Sequence, residues 1–405
     1  MHLDVIIGVS KNNKSGACDV NDIEKLGSDP KVVELFKLKK DEVIFDDDSD
    51  IFITSGSTGK PKYAVHTHFS VINGVKGMFY YLEGMPNKEN RRIILGLNTA
   101  HISGEGSGVL SPLVASMTSV FAPPVYNIKQ IVQTIQNERC TDVLFLITYL
   151  YDMLNFKDIG EYDVTSLDIC LTGGSNIPPK LAKDFEEKFA CKILIAYAST
   201  EMMVPSISSP WDPLEARCSG VRILPNAEIQ LVDDDGKCVP LGSNGEIWCR
   251  CCSNFQRYMG NDEQTKAAKS PHGWFKTGDL GVFNAAGVLS IVGRKKDMID
   301  RGGIKIFPAD IENVLSQHPS IEQVQVIGVP DERLSEEICI CLRTKKNAII
   351  EKDQIVSHLT GKVRLEESVP GYVLIFDSFP KSITGKIDRM SLTKQAIDRI
   401  QSKVQ

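Results

Sequence analysis

The chain has 405 residues, 42% of them hydrophobic, which is ample for two or three packed domains and excludes a disordered chain. Its 46 basic and 52 acidic residues leave a net charge of -6, with no arginine-rich run or basic tail to follow a phosphate backbone, which argues against nucleic acid as a partner. No stretch approaches the roughly 20 apolar residues of a bilayer-crossing helix; with no signal-peptide flanks around the apolar run at 5–9 and no C-terminal peroxisomal tripeptide, a soluble cytoplasmic protein is expected.

Residues 3–9 read as a buried strand, followed by a polar segment with Gly16, Gly27 and Pro30 that suits loop and surface helix. Asp46, Asp47, Asp48 and Asp50 read as a solvated turn. From Ile51 a β-branched stretch enters a loop rich in Gly, Ser and Thr, and strand and helix patterns then alternate to about residue 200, as in a parallel α/β sheet. The clearest unit is a strand at 167–171, a turn at Gly173 and Gly174, and a helix from Pro178 with Leu181, Phe185 and Phe189 at four-residue spacing. A second strand at 192–196 completes a βαβ module. Between Trp211 and Asn284 short alternating strands and turn signals at 234–236 and 242–245 indicate a small β-rich subdomain. A compact α+β part follows, with a helix carrying Ile311, Val314 and Leu315 that ends before Pro319, and a strand at 324–329. The expected division is 1–294 and 297–405, with a hinge at Lys295 and Lys296.

Eleven cysteines, mostly scattered, suit reduced thiols rather than a disulfide framework. Cys249 and Cys252 form a C-x-x-C, but in a strand at 246–252 alternation sends them to opposite faces, which argues against a metal site.

The strongest local signal is TSGSTGKPK at 54–62: Thr54, Ser55, Gly56, Ser57, Thr58, Gly59, Lys60, Pro61 and Lys62. Glycines let backbone N–H groups converge on phosphate oxygens, hydroxyls add donors, and the lysines offset anionic charge. A Walker A loop needs wider glycine spacing and a Ser or Thr after the lysine, where Pro61 stands. The other motifs are NTAHISG at 98–104, LTGGS at 171–175, YASTE at 197–201, GEIW at 245–248, GWFKTGD at 273–279, GRKKDMI at 293–299, GGIKIFPADIE at 302–312 and PKSITGKIDR at 380–389. In order and spacing this series resembles the adenylate-forming superfamily of acyl-CoA synthetases, coumarate-CoA ligases, beetle luciferases and peptide-synthetase adenylation domains. The resemblance covers nearly all of this chain but not all of the family's fold, which carries further sheet and helix before the phosphate loop.

The resemblance implies ATP, Mg²⁺ and coenzyme A as cofactors and a small carboxylic acid as substrate. It implies that the 54–62 loop holds the β- and γ-phosphates, and that Gly173, Gly174, Ser175 and Tyr197 form the adenine slot. Thr200 would bond a phosphate, Glu201 ligate Mg²⁺, Asp279 accept the ribose hydroxyls and Arg294 assist at ribose or phosphate, roles that suit each side chain's donors and acceptors. Lys386 would be the catalytic lysine, bridging the carboxylate and the α-phosphate. His101 would mark the acyl pocket, with further walls at 143–149 and 171–175; Gly302 and Gly303 would lie on the pantetheine channel, and Lys296 in the hinge. Where relatives carry glycines, Tyr63 and Ala198 stand here, and Arg250, Cys251 and Cys252 replace an R-G-P turn, so each swap removes φ freedom or adds bulk. Two alternatives stay open on the sequence: a homologue that binds without turnover, and an adenylating enzyme with an acceptor other than coenzyme A.

Overall fold

The structure is a computed structural model that describes residues 7–8, 18–54, 61–82, 90–97, 99, 101–122, 126–174, 177–345, 348, 350–381 and 387–402. Its centre is a seven-stranded sheet in the order Arg222–Ile223, Met203–Ile207, Lys192–Ser199, Ile169–Gly173, Asp142–Leu144, Arg92–Leu95, Thr118–Phe121. The last five are mutually parallel, and Met203–Ile207 runs antiparallel to both of its neighbours.

Side-chain alternation explains why both faces of this sheet are covered. Ile94, Val143, Cys170 and Ile193 point into one apolar cluster, with Ile131 and Ile135 of helix Ile128–Glu138 and Leu181, Phe185 and Phe189 of helix Pro179–Phe189. Their chain neighbours Ile93, Leu144, Ile169 and Leu194 point into another, with Val71, Val75 and Met78 of helix His68–Met78. Such a two-sided run is the pattern of a parallel sheet sandwiched by helices. Each fully buried side chain of this size contributes about 1.5–3 kcal/mol of hydrophobic stabilisation. The expected βαβ module is present, with Ile169–Gly173 parallel to Lys192–Ser199 and the intervening helix burying the anticipated residues.

At the N-terminal edge of the sheet Arg91 is buried against Asp142, with Nε 2.8 Å from Oδ2, and its Nη1 lies 2.8 Å from Asp168. The Tyr81 hydroxyl donates to Asp142 at 3.0 Å. This cluster lies at the opposite end of the strands from the turns that follow Gly173 and Ser199.

The β-rich part is a four-stranded antiparallel sheet, Ala227–Val232, Gly245–Cys251, Phe275–Phe283 and Leu289–Arg294 in that order. A three-stranded sheet, Asp48–Thr54, Lys62–Thr67 and Arg257–Tyr258, joins it through a core containing Ala64, Tyr258, Phe255 and Ile247. Here the acidic run departs from the expected turn: Asp46 and Asp47 do turn, but Asp48 and Asp50 lie on the strand, and Asp48 accepts from Arg257 Nη1 at 2.9 Å. That guanidinium holds the Asp48 carboxyl below its usual range.

The C-terminal part has its own sheet, Ile304–Ile306, Ile299–Arg301, Ser335–Thr344 and Ile321–Asp331, with Tyr372–Ile375 added parallel to Ser335–Thr344. Helix Pro308–Leu315 packs on one face and helix Arg389–Ser402 on the other. A 3₁₀ turn, Lys295–Asp297, and Met298 separate this sheet from the strand ending at Arg294. Among the described residues no helix is long and apolar enough to cross a membrane.

Of the strand expected at 3–9, only Ile7 and Gly8 are described, and they pair parallel with Cys18–Asp19. Cys249 is buried within Gly245–Cys251, whereas Cys252 falls just past its end. The thiol on the face of Cys249 is therefore Cys251, two residues on, with sulfurs 3.8 Å apart. None of Tyr63, Ala198, Arg250, Cys251 and Cys252 has a positive φ, so the backbone at these positions does not demand glycine.

Candidate active site

Chain direction assembles the site. Strands Ile169–Gly173 and Lys192–Ser199 are parallel, so the residues after Gly173 and after Ser199 emerge at one edge, where open α/β sheets bind ligands. Gly173 sits so close to its neighbour that a Cβ would lie 2.5 Å from the Ala196 carbonyl oxygen, and Gly174 turns with φ +82°. A side chain at 173 would push these two strands apart at the point where the turn opens.

Tyr197 lies on the second of these strands, and its hydroxyl donates to Asp279 Oδ2 at 2.8 Å. Asp279 is on Phe275–Phe283, so this bond joins the seven-stranded sheet to the four-stranded one. Cross-strand pairing places Arg294 opposite Asp279, and its Nε lies 3.2 Å from Oδ1. Three residues separated by up to 97 positions thus form one cluster. Burial pushes the Asp279 carboxyl above its ordinary value, while Arg294 and the Tyr197 hydroxyl pull it back. Burial and the neighbouring Asp279 raise the Tyr197 phenol well above its own. A buried carboxylate with one oxygen on a neutral donor and the other on a cation is firmly oriented, and each oxygen retains a lone pair for a further donor.

Thr200 and Glu201 occupy the turn 200–202 between Lys192–Ser199 and Met203–Ile207. Thr200 is buried, and Glu201 is half-buried. Glu201 Oε1 accepts from the Tyr258 hydroxyl at 2.8 Å, and the ammonium of Lys62 stands 4.7 Å from the centre of the same ring. The structure therefore gathers Lys62 and Glu201 around Tyr258. Thr54 and Lys62 are cross-strand partners, so the chain leaves one strand at Thr54 and returns on the next at Lys62. Ser55, Gly56, Ser57, Thr58, Gly59, Lys60, Ser175 and Lys386 lie outside the described residues.

His101 caps the short helix Ile102–Glu105, its Nδ1 accepting from Ser103 N at 3.2 Å. In the 143–149 region Phe145 is buried and the Tyr149 hydroxyl donates to the Gly96 carbonyl at 2.9 Å. Gly302 and Gly303 belong to the C-terminal sheet, in the turn between Ile299–Arg301 and Ile304–Ile306 with φ +63° and +88°. Lys296 is exposed in the 3₁₀ turn, whereas Lys295 bonds Glu246 at 3.1 Å and Asp234 at 2.8 Å.

Two residues absent from the motif reading shape this site. Tyr258 orients Glu201, and His66, fully buried, contacts the Thr200 carbonyl through Nε2 at 2.8 Å. Burial pulls the His66 imidazole down to about 4. The available signal was a histidine at an inward position of a strand, next to a motif. No group of three or more His, Cys, Asp or Glu among the described residues is arranged to hold a metal ion unaided.

Residues 11–259 match the family model described as AMP-binding enzyme, and residues 310–386 match that of the AMP-binding enzyme C-terminal domain. The chain is 33% identical to a mitochondrial medium-chain acyl-CoA ligase of Mus musculus, over 86% of this chain and 57% of that protein. It is 33% identical to the corresponding protein of Danio rerio, over 96% of this chain and 64% of that one. The chain thus spans about three fifths of the length of these relatives. Among solved structures, ATP-bound MatB from Rhodopseudomonas palustris superposes with a TM-score of 0.79 at 24% identity, covering 87% of this chain and 69% of that one, a likeness of fold.

Proposed function

From the premise that this chain belongs to the AMP-binding enzyme family, we propose that it activates a carboxylic acid with ATP and passes the acyl group to coenzyme A. In the first half-reaction a carboxylate oxygen attacks the α-phosphorus, the bond to pyrophosphate breaks, and acyl-AMP forms. In the second the coenzyme A thiol, losing its proton, attacks the acyl carbon and AMP leaves.

The observation that carries this reading is the Tyr197, Asp279 and Arg294 cluster at the rim of the parallel sheet, beside Gly173 and the turn 200–202. Asp279 would accept the two ribose hydroxyls, the Tyr197 ring would wall the adenine, and Arg294 would face ribose or phosphate. Residues 54–62 would bind the β- and γ-phosphates, with Thr200 on a phosphate oxygen. Glu201 fits Mg²⁺ as a single oriented carboxylate, because Mg²⁺ is commonly held by one or two carboxylates plus substrate phosphates. When bound it would neutralise phosphate charge. Lys386 would offset the repulsion between the acid and the α-phosphate. An extended thiol arm would pass over the exposed turn at Gly302 and Gly303, where a Cβ on Gly303 would meet nothing within 4 Å, and 295–296 would be the pivot between units 1–294 and 297–405.

Medium-chain fatty acids, the class named for the relatives, are the first acids to test, and the cytosol is the compartment we propose. The deciding experiment is acid-dependent ATP–pyrophosphate exchange by the 405-residue chain, followed by AMP release with and without coenzyme A. Exchange and coenzyme-dependent AMP release are expected. Absence of exchange with every acid refutes the reading, and exchange without coenzyme dependence refutes its second half.

A further inference from the structure

The turn 200–202 offers three consecutive carbonyl oxygens, and each is taken by a donor from elsewhere in the chain. Thr200 O faces His66 Nε2 at 2.8 Å, Glu201 O accepts from Phe255 N at 2.7 Å, and Met202 O accepts from Ser253 Oγ at 2.7 Å. The next residue, Met203, has φ +54°, a conformation uncommon for a non-glycine side chain and one that its surroundings must hold. Two of the three donors come from one segment near 254. Only His66 comes from the strand that follows the 54–62 loop.

The protonation of this imidazole follows from its partners. A carbonyl oxygen only accepts, so Nε2 must carry a proton. Nδ1 lies 3.1 Å from Ser70 Oγ on helix His68–Met78, a hydroxyl whose one proton can turn to Nδ1 or to the Thr67 carbonyl 3.0 Å away. His66 is sealed from solvent, its ring at 71° to that of Phe52 in an edge-to-face contact with a centroid distance of 5.7 Å. A neutral ring with Nε2 as donor and Nδ1 as acceptor therefore satisfies the pocket. An apolar residue of the same size would leave the Thr200 carbonyl buried without this partner, and packing alone does not call for a histidine here.

We propose that His66 is a positioning residue for nucleotide activation: by holding the Thr200 carbonyl it fixes Thr200 and Glu201 relative to strand Lys62–Thr67, and so relative to the phosphate loop that runs into that strand. The inference rests on the functional reading above, in which Thr200 and Glu201 face the triphosphate and its metal. Two anchors of the turn come from residues 253–255, and His66 is the anchor that comes from strand Lys62–Thr67. Loss of the donor frees the Thr200 peptide to rotate and carries the hydroxyl of Thr200 and the carboxylate of Glu201 with it. The consequence is poorer use of Mg·ATP rather than poorer use of the acid.

The test compares His66→Leu, which keeps volume and loses the donor, with His66→Gln, whose amide reaches about as far as Nε2, and His66→Asn, whose amide reaches only the Nδ1 position. The readouts are melting temperature and the KM for Mg·ATP and for acid in acid-dependent pyrophosphate exchange. The expected result is an increase of about tenfold in KM for Mg·ATP in the Leu and Asn variants, the effect of one hydrogen bond's worth of alignment. KM for acid should be unchanged, and the Gln variant should return to near the parental value. Should the Leu variant fail to fold, the Gln and Asn pair carries the comparison. Parental KM values in both the Leu and Asn variants of an active enzyme overturn the positioning role alone. Equal impairment of Gln, Leu and Asn in step with lowered melting temperature overturns it in favour of packing. A parent chain that shows no Mg·ATP-dependent exchange overturns the functional reading on which the inference rests.

Discussion

Replacing Asp279 with alanine should isolate ribose recognition from the other contacts a nucleotide would make. Its carboxylate accepts from the Tyr197 hydroxyl at 2.8 Å and faces Arg294 Nε at 3.2 Å, and the residue is buried. A hydrogen bond to a charged group contributes about 1.5–3 kcal/mol, so loss of the acceptor for two ribose hydroxyls should cost on the order of 2–4 kcal/mol of nucleotide affinity. That corresponds to roughly 30- to 700-fold in Kd. The truncation also strands the buried Tyr197 hydroxyl, at about 1–3 kcal/mol of folding stability. Adding Tyr197→Phe to Asp279→Ala should therefore recover part of the stability without recovering affinity, which separates the two effects. Calorimetric titration with ATP and its 2′-deoxy and 3′-deoxy analogues reads the outcome directly. The parent should prefer ATP, and Asp279→Ala should bind all three alike. A variant that still discriminates against the deoxy analogues would refute the assignment of Asp279 to the ribose.

Four further outcomes are expected. Lys386→Ala should abolish acyl-adenylate formation yet convert supplied acyl-AMP and coenzyme A to thioester; pyrophosphate exchange at the parental rate would remove Lys386 from the chemistry. Lys296→Pro, by restricting φ at the pivot, should spare adenylation and slow thioester formation, and equal loss in both half-reactions counts against rotation there. Arg91→Met should lower folding stability by about 3–5 kcal/mol in denaturant titrations, because it leaves the buried Asp142 carboxylate unpaired, while nucleotide affinity at the far edge of the sheet is unchanged. A loss below about 1 kcal/mol would show that this pair is not a buried charge pair in solution. Glu105 is raised to about 7 by burial and by the neighbouring Asp50 carboxylate, with which it shares a hydrogen bond. Its stabilising contribution is full below its unfolded value near 4.5 and is lost as pH rises through about 7, so the melting temperature of Glu105→Gln minus that of the parent should grow from pH 5 to 8. A difference independent of pH refutes that linkage.

The parallel sheet was legible because its alternation is two-sided. Ile93 with Ile94 and Ile193 with Leu194 leave no polar face to either strand, and Leu181, Phe185 and Phe189 repeat at helical spacing between them. Motif residues carried their own markers: Gly173 by its place in LTGGS, Asp279 by its place at the end of GWFKTGD. His66 carried only its inward place on a strand beside a motif and Tyr258 carried nothing, because their partners lie 134 and 57 positions away and only folding brings the pairs together. Asp48 and Asp50 misled in the opposite direction. Four acidic residues in five positions suggest a turn by composition, but Asp48 is held on a strand by Arg257, 209 positions later.

The same dependence on distant partners bears on where a pivot between the two units can lie. Lys295 is tied to Glu246 of the four-stranded sheet at 3.1 Å and to Asp234, in the turn after its strand Ala227–Val232, at 2.8 Å. Two residues on, Asp297 lies 3.8 Å from Arg389, which in turn bonds Glu312 and Gln325 within the C-terminal part. The residue on each side of Lys296 thus belongs to a different body, and Lys296 itself is exposed. Rotation of one body against the other would therefore concentrate in the backbone torsions at Lys296, with the neighbouring ion pairs carried along intact. Such a rotation would also disturb the contact of helix Pro308–Leu315 with strand Leu289–Arg294 and the Lys305 to Asp234 pair at 3.9 Å, an exposed pair of a kind that contributes at most about 1 kcal/mol. On our reading, a hinge that holds both of its neighbours firmly and turns about Lys296 lets one active site serve two half-reactions in succession.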